Sequence, residues 1–525
     1  MAVMSTPVVT NDLTRTFIQD EGIGTVFNLY DCQSLPNWTR PKTAAVRVKV
    51  KSPHEYGKHD VKATARGTWE GVTFPVNAWT PDELDWLLDV DCPVDFQLVM
   101  GRCGAPSDLS QYTKIRHFYR SEPTSQGETE ADYLGEEEAA GIQTQTAWTA
   151  EDMVTIVQVD TERQRNGVTE TQAFNDIAFL AEGRCEGNCG ARVEDGQWGV
   201  AVADANYGTG TANVWYTRDK GATWELCAID PFSTMVDANL SSCVILPGEV
   251  APRIIVFRGN EDPAYGARCS ISDDWGASAW TEVAMGGTAN ISYVNGAFKF
   301  AVGLIYAVGN GGYIYYSEDR GDSWTEIDSD TTGTTEDLWD IHLPPDKSSV
   351  IYAVGSSNTV ITSDDSGASW GDITTAPADG TEDLYAVDVD SKYRVYVGGE
   401  VDASGECLWV TDDGGVNWTA LTFTGSTLAD GEVRRFRQCR RAPRQHKVFI
   451  HGVDGTDADP DTDKRYGDGE NFRMFRTLDG GGSFERLDLV TNNGLNGLAI
   501  VDINHAWACG EVVDTYGEIQ RYTPS

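Results

Sequence analysis

An eight-residue string returns six times after residue 200: TRDKGATW (217–224), SDDWGASAW (272–280, one residue longer), SEDRGDSW (317–324), SDDSGASW (363–370), TDDGGVNW (411–418) and TLDGGGSF (477–484). The starts lie 55, 45, 46, 48 and 66 residues apart, the length of a four-stranded antiparallel unit with its loops. A sheet that small cannot bury both of its faces alone, so a chain that repeats it must stack the units against one another. Each string follows a short β-branched and aromatic run, such as Val214 to Tyr216, Ile314 to Tyr316 or Val360 to Thr362. Further upstream lies an apolar strand that ends in glycine: LIYAVG (304–309), VIYAVG (350–355), RVYVGG (394–399), KVFIHG (447–452) and HAWACG (505–510), with WGVAVA (198–203) and RIIVFRG (253–259) in the equivalent places of two earlier units.

These runs make seven units, and the last, Leu495 to Tyr522, has inner strands but no string and no outer strand. The predicted fold class is all-β, a seven-bladed β-propeller preceded by a small β-sandwich or barrel with one short helix. A ring of blades removes its exposed edges when a strand from the other end of the propeller completes the last blade. The sequence points to TAWTAEDMVTIVQVD (146–160) as that strand, within a propeller domain of 146–525.

The string reads as a hairpin turn between the third and fourth strands of a blade. Glycine supplies a φ > 0 position, and the Asp carboxylate and Ser/Thr hydroxyl satisfy turn amides. The pairs Asp219 and Trp224, Asp274 and Trp280, Asp319 and Trp324, Asp365 and Trp370, Asp413 and Trp418, and Asp479 and Phe484 are therefore expected to be structural, the aromatic packing beside the turn. The string resembles the Asp-box, or BNR, motif of sialidases, sortilin-type receptors, xyloglucanases and photosystem-assembly propellers, and units with YAVG before the box look most like the last of these.

A sialidase-like reading implies three arginines, a Tyr–Glu pair and an Asp acid converging at the mouth of the ring. The likeness to that family's Arg-Ile-Pro signature, APRIIVF around Arg253, follows the first box and lacks the proline. A xyloglucanase-like reading needs two facing propellers, and the chain has length for one. No catalytic residues are assigned. Two other features stand out. Arg434, Arg435, Arg437, Arg440, Arg441 and Arg444 cluster in EVRRFRQCRRAPRQHK, either to seat an acidic partner or to neutralise neighbouring carboxylates. Asp459, Asp461, Asp463 and Glu470 follow EF-hand spacing, but Lys464 stands where that loop needs glycine, leaving a looser calcium site or a solvated acidic loop. No other cofactor is implied. Cys185 and Cys189 suit a local disulfide or two free thiols, and no second Cys or His pair nearby completes a zinc set.

In residues 1–120 the strand pattern is plain in AAVRVKVKS (44–52), VDFQLVMGR (94–102) and YTKIRHFYR (112–120), with a hairpin at 61–76 and a short helix at 80–91. The acidic stretch 121–145 reads as a linker or long loop. Of the net charge of −41, residues 1–120 hold 13 Lys+Arg against 14 Asp+Glu, so about −40 falls on the rest. Such a field disfavours specific nucleic-acid binding by the propeller. The start of the chain lacks the pattern of an export signal, and no run is long enough to insert in a membrane, so a soluble protein is expected.

In plan, a near-neutral β-domain ahead of an acidic one resembles tail-tube proteins of tailed viruses. That likeness implies homo-oligomerisation through the N-terminal domain, a virion location and a propeller displayed outside for decoration. Two alternatives remain: a propeller assembly factor or receptor that binds another protein, and an Asp-box glycan-processing enzyme, with a protein or a glycan as ligand.

Overall fold

In a computed structural model of the chain, the described residues are the strands between residues 14 and 163 and most of 168–524, without 181–195, 205–212, 422–431, 439–447, 454–471, 478–484 and shorter stretches. The chain divides into two compact units, Met1–Gln158 and Val159–Ser525.

In the first unit, eight strands share one sheet: Thr14–Asp20, Val26–Leu29, Asn37–Thr39, Gly67–Pro75, Val94–Gly101, Tyr112–Thr129, Gln143–Ala150 and Asp152–Val157. Val46–Lys49 pairs separately with Asp60–Ala63. The expected hairpin at 61–76 is therefore split, because Gly67–Pro75 pairs instead with Asn37–Thr39 and Gln143–Ala150. The expected linker is also corrected at both ends. Residues 122–129 continue a long strand and pair with residues 143–149, since backbone ladders accept polar side chains that a composition count reads as loop. The helix expected at 80–91 lies outside the described residues.

The second unit is a β-propeller with six blades of consecutive strands rather than the seven expected, because the last run of strands is one short of a blade. Six blades are each built from four consecutive antiparallel strands: blade 1 (174–226), blade 2 (240–286), blade 3 (294–327), blade 4 (338–372), blade 5 (384–420) and blade 6 (432–487). The remaining sheet is composite, with Leu495–Asp502, His505–Val513 and Tyr516–Pro524 completed by Val159–Arg163. The strand that completes it is Val159–Arg163 and not the whole segment 146–160. The more apolar part of that segment, Asp152–Val157, pairs in the first unit, where Ile156 lies opposite Ile115 and both are fully buried. The polar VDTER that follows closes the last sheet. Among the described residues no helix is long and apolar enough to cross a membrane.

Blades pack face to face, so second strands such as Ile305–Gly309, Ile351–Gly355 and Val395–Gly399 are buried on both sides. Successive residues alternate between neighbouring seams. Ile305 and Ala307 join Ile255 and Phe257 of blade 2, whereas Tyr306 and Val308 join Ile341 and Ile351 of blade 4. Other seams also mix two neighbours, as where Trp507 and Ile519 of the closing sheet meet Phe179 and Trp215 of blade 1.

Every innermost strand is bulged at the same place. Its register with the second strand skips Asn175, Ser241, Asn295, Trp339, Tyr385, Arg434 and Asn496 in turn around the ring. The small polar members of this series clasp the neighbouring blade. Asn496 Nδ2 donates to Phe174 O at 3.0 Å, Asn175 Nδ2 to Leu240 O at 2.8 Å and Asn295 Nδ2 to Leu338 O at 2.8 Å. Ser241 Oγ donates to Val294 O in the same way.

One residue on, Asp176 Oδ2 accepts from Ser242 Oγ and Cys243 N of blade 2, and Asp340 Oδ2 accepts from Val387 N of blade 5. Buried His342 accepts from Val389 N at Nδ1, 3.1 Å away, which places its proton on Nε2, facing Asp388 Oδ1 at 3.3 Å. The innermost strand is the inner edge of each blade, and these contacts satisfy backbone groups that its own sheet cannot reach.

The boxes sit at the opposite end of each blade, as hairpins between third and fourth strands. In blade 4, Ser363 Oγ donates to Asp365 Oδ1 (2.9 Å) and accepts from Gly367 N (2.8 Å), while Asp365 accepts from Ser369 N (2.8 Å) and Ser369 Oγ (2.6 Å). The boxes at 217, 317 and 411 repeat this pattern. The glycine is left-handed as expected, and so is the residue before it, which is not glycine in four boxes: Lys220 (φ 61°), Trp275 (65°), Arg320 (68°) and Ser366 (65°).

The longer second box turns that position to use. Trp275 is buried against Trp198 (centroids 5.3 Å) and Tyr216 (5.0 Å) of blade 1, with the Arg218 guanidinium over its ring at 5.0 Å. Its closing Trp280 donates to Ile229 O, whereas Trp324 and Trp370 donate to the box glycine carbonyls of Gly321 and Gly367. Asp479 and Phe484 of the sixth box lie outside the described residues.

Three outcomes follow. Asn175→Ala strands the Leu240 carbonyl and should lower stability in chemical denaturation by about 1–3 kcal/mol. Trp275→Ala should cost about 3–5 kcal/mol by the same measurement, against less than 1 kcal/mol, roughly, for an exposed residue. The third concerns acid. The Ser369 hydroxyl and amide hold Asp365 down to about 2, and the Asn417 amide and side chain do the same for Asp413. An unfolded aspartate titrates at about 3.9, so both stabilise the ring fully above that pH and lose their contribution as pH falls through about 2. Denaturation midpoints measured across that window should fall less steeply for the Asp365→Asn, Asp413→Asn double variant; an unchanged slope would count against the assignment.

Candidate functional site

The second strand runs from the box end of a blade to the bulge end, and charged residues at its start are spent within the fold. Arg253 Nε and Nη2 grip both oxygens of Asp273 (2.8 and 2.9 Å), in the box of its own blade, and Nη1 reaches Asp322 (2.8 Å), in the box of blade 3. These carboxylates hold the guanidinium firmly in its charged form. Arg394 Nη1 meets Asp412 at 2.7 Å in the equivalent place of blade 5. The arginine that invites comparison with a sialidase signature is thus a staple between two boxes.

The bulge end is different. Four of the seven bulge positions carry Asn or Ser and clasp a neighbour; blades 4, 5 and 6 carry Trp339, Tyr385 and Arg434 in succession. The rings of Trp339 and Tyr385 meet edge to face, centroids 5.9 Å apart at 70°. Trp339 Nε1 donates to Ser356 Oγ (3.0 Å), and Tyr385 OH to Glu400 Oε1 (3.2 Å).

The turn between second and third strands of blade 4 completes this rim. Ser357 (φ 55°) and Asn358 (φ 57°) are left-handed there, where blade 3 has Gly311 and Gly312. Left-handed non-glycine residues cost on the order of 1 kcal/mol each and persist where their surroundings hold them. Here Ser357 N donates to Asp383 Oδ1 (3.0 Å), Ser357 Oγ to Glu336 Oε2 (3.1 Å), and Asn358 Nδ2 to Ala378 O (2.8 Å). Asp383 N in turn donates to Glu400 Oε2 (3.0 Å), so one hydrogen-bonded network runs from the turn to Tyr385.

Of the arginine patch, Arg434, Arg435 and Arg437 lie on the innermost strand of blade 6, with Arg435 opposite His451 and Arg437 opposite Phe449. Arg434 thereby joins Trp339 and Tyr385 in the bulge series, a link the sequence does not show. Arg440, Arg441 and Arg444 lie outside the described residues, as do Cys185, Cys189 and the calcium candidates Asp459, Asp461, Asp463 and Glu470. Among the described residues no three His, Cys, Asp or Glu side chains are grouped to hold a metal. Cys227, Cys243, Cys269, Cys407 and Cys509 are buried and not disulfide-bonded, and burial pushes the Cys227 and Cys269 thiols up to about 12, away from nucleophilic thiolate.

Against known proteins, residues 312–459 match the family profile described as sortilin, neurotensin receptor 3. Among solved structures the chain is similar to YCF48 bound to a D1 peptide, at 15% identity over 70% of this chain and 100% of that one, with a TM-score of 0.46. YCF48 from Cyanidioschyzon merolae matches at 15% identity over 69% of this chain and 99% of that one, TM-score 0.46. A GH74 xyloglucanase from Xanthomonas campestris matches at 14% over 69% of this chain and 55% of that one, TM-score 0.44. No curated protein matches the sequence. The profile match supports a propeller of the sortilin and BNR kind; the tail-tube likeness and the virion location gain no support from these comparisons.

Proposed function

We propose that the propeller is a binding platform that takes a segment of another protein on the bulge-end rim of blades 4 to 6. One observation carries this reading: at seven equivalent positions four are Asn or Ser that clasp a neighbour, and three adjacent blades carry Trp339, Tyr385 and Arg434 instead. Tryptophan, tyrosine and arginine are the residue types that dominate binding energy at protein interfaces. These residues stand where four other sheets carry Asn or Ser, and their presence in sequence along the rim favours a role beyond the ring's own stability. The strained Ser357–Asn358 turn beside Trp339 supports the same place. A glycan-cleaving reading is weaker, since Arg253 and Arg394 are committed to the boxes at the other end.

Selection of a displayed library of short random peptides against the full chain tests this. Enriched peptides should lose about tenfold or more in affinity on Trp339→Ala, a cost of roughly 1.4 kcal/mol or more, with buried Tyr385 left intact to back the indole. Peptides that bind the variant as tightly as the parent chain would move the site elsewhere.

A further inference from the structure

Blades 4 and 5 share more than an aromatic residue at the bulge. Aligned by their bulges, both lead into it with one string, TEDLW (335–339) and TEDLY (381–385), and none of the other five bulge positions has a Glu–Asp pair in that place. The aspartates have structural work. Asp337 Oδ1 accepts from Gly311 N in the turn of blade 3 (2.8 Å), and Asp383 Oδ1 from Ser357 N in the turn of blade 4 (3.0 Å), so each fixes the turn of the preceding blade. The glutamates are less engaged. Glu336 Oε2 accepts from the exposed Ser357 hydroxyl at 3.1 Å, and Glu382 Oε2 has no donor. Among the described residues neither glutamate meets a cation; the arginine ion pairs, to Asp273, Asp322 and Asp412, lie at the box end.

Both glutamates border the turn beside the half-buried Trp339. Glu336 reaches it through the Ser357 hydroxyl, and the Glu382 carbonyl accepts from Asn358 N at 2.7 Å, while Ser356 accepts the indole N–H. Gathering carboxylates in a chain of net charge −41 costs stability through repulsion, and an incoming cation relieves that cost. The propeller already holds one guanidinium against a Trp–Tyr pair and a glutamate. Arg218 lies over Trp275 at 5.0 Å and donates to the hydroxyl of Tyr216 (3.2 Å), which donates to Glu225 (2.8 Å). At the rim Tyr385 likewise packs on Trp339 and donates to Glu400.

We infer, on the reading that the rim is the binding site, that the segment it takes is basic: an arginine stacks on Trp339, its guanidinium facing Glu336 and Glu382. Arginine suits this place better than lysine, because its planar guanidinium stacks on an indole and forks to a carboxylate at once.

Peptides selected from the random library against the full chain are the probe. They should carry arginine in excess over the unselected library, and changing that arginine to citrulline, its neutral isostere, should weaken binding by about fivefold or more. In the Glu336→Gln, Glu382→Gln chain, where amides keep the shape, the same change should cost less than about twofold. Glu318→Gln with Asp364→Asn removes two exposed charges from the boxes of blades 3 and 4 and should leave the citrulline penalty at full size. A penalty that fell there too would belong to net charge and reject the site. Peptides that lose affinity on Trp339→Ala yet show no arginine enrichment, or keep the full citrulline penalty in the Gln chain, would overturn the basic partner and leave the rim in place. Peptides indifferent to Trp339→Ala, or no enriched peptide at all, would overturn both.

Discussion

The inner edge of each blade is where this ring is hardest to build. A blade's innermost strand has a partner on one side only, so its other backbone groups need acceptors and donors from elsewhere. The propeller answers with one repeated device. A bulge at a fixed place in the strand turns one side chain toward the neighbouring blade, and an amide or hydroxyl there reaches the carbonyl at the neighbour's own bulge. Asp176, Asp340 and His342 do the converse, accepting from inner-edge N–H groups of the next blade. The apolar seams hold the sheets together without direction, and these bonds set their angular order.

Because the device is repeated, departures from it can be read. Trp339 donates to Ser356 and Tyr385 to Glu400, so the rim between blades 4 and 5 is ordered by a network that the Asn and Ser positions do not build. A blade needs no tryptophan at that position to close, as blades 1 to 3 demonstrate with Asn175, Ser241 and Asn295. The same comparison separates the two ends of the ring. Boxes bind their own charges, as Arg253 does with Asp273 and Asp322, while the bulge end is where blades differ most in chemistry.

How much of this was legible beforehand follows from the range of each interaction. The boxes are local: hydroxyl, carboxylate and glycine lie within five residues, so the string alone announces its turn. The left-handed residue before the glycine was not legible, because Lys220, Trp275, Arg320 and Ser366 share no chemistry; only the turn geometry they adopt unites them. The bulge series was hidden for another reason. Its members are 44 to 66 residues apart in the chain and become equivalent only when strand registers align them, so Trp339 and Tyr385 carried no signal and Arg434 was grouped with the arginines next to it in sequence. Closure was misplaced because apolar alternation marks a buried strand: Asp152–Val157 has it and was buried in the first unit, whereas an outer strand can be as polar as VDTER.

That last point bears on how the two units divide the work. Had the apolar strand closed the ring, the propeller would be fastened by hydrophobic burial and indifferent to what precedes it. Instead the burial belongs to the first unit and the ring is fastened by a polar strand one residue further on. A ladder of five pairs contributes little by itself, since each backbone hydrogen bond nets only about 0.5–1.5 kcal/mol after exchange with water. The ring thus keeps its strongest contacts in the seams between blades and leaves its last contact to a short polar strand.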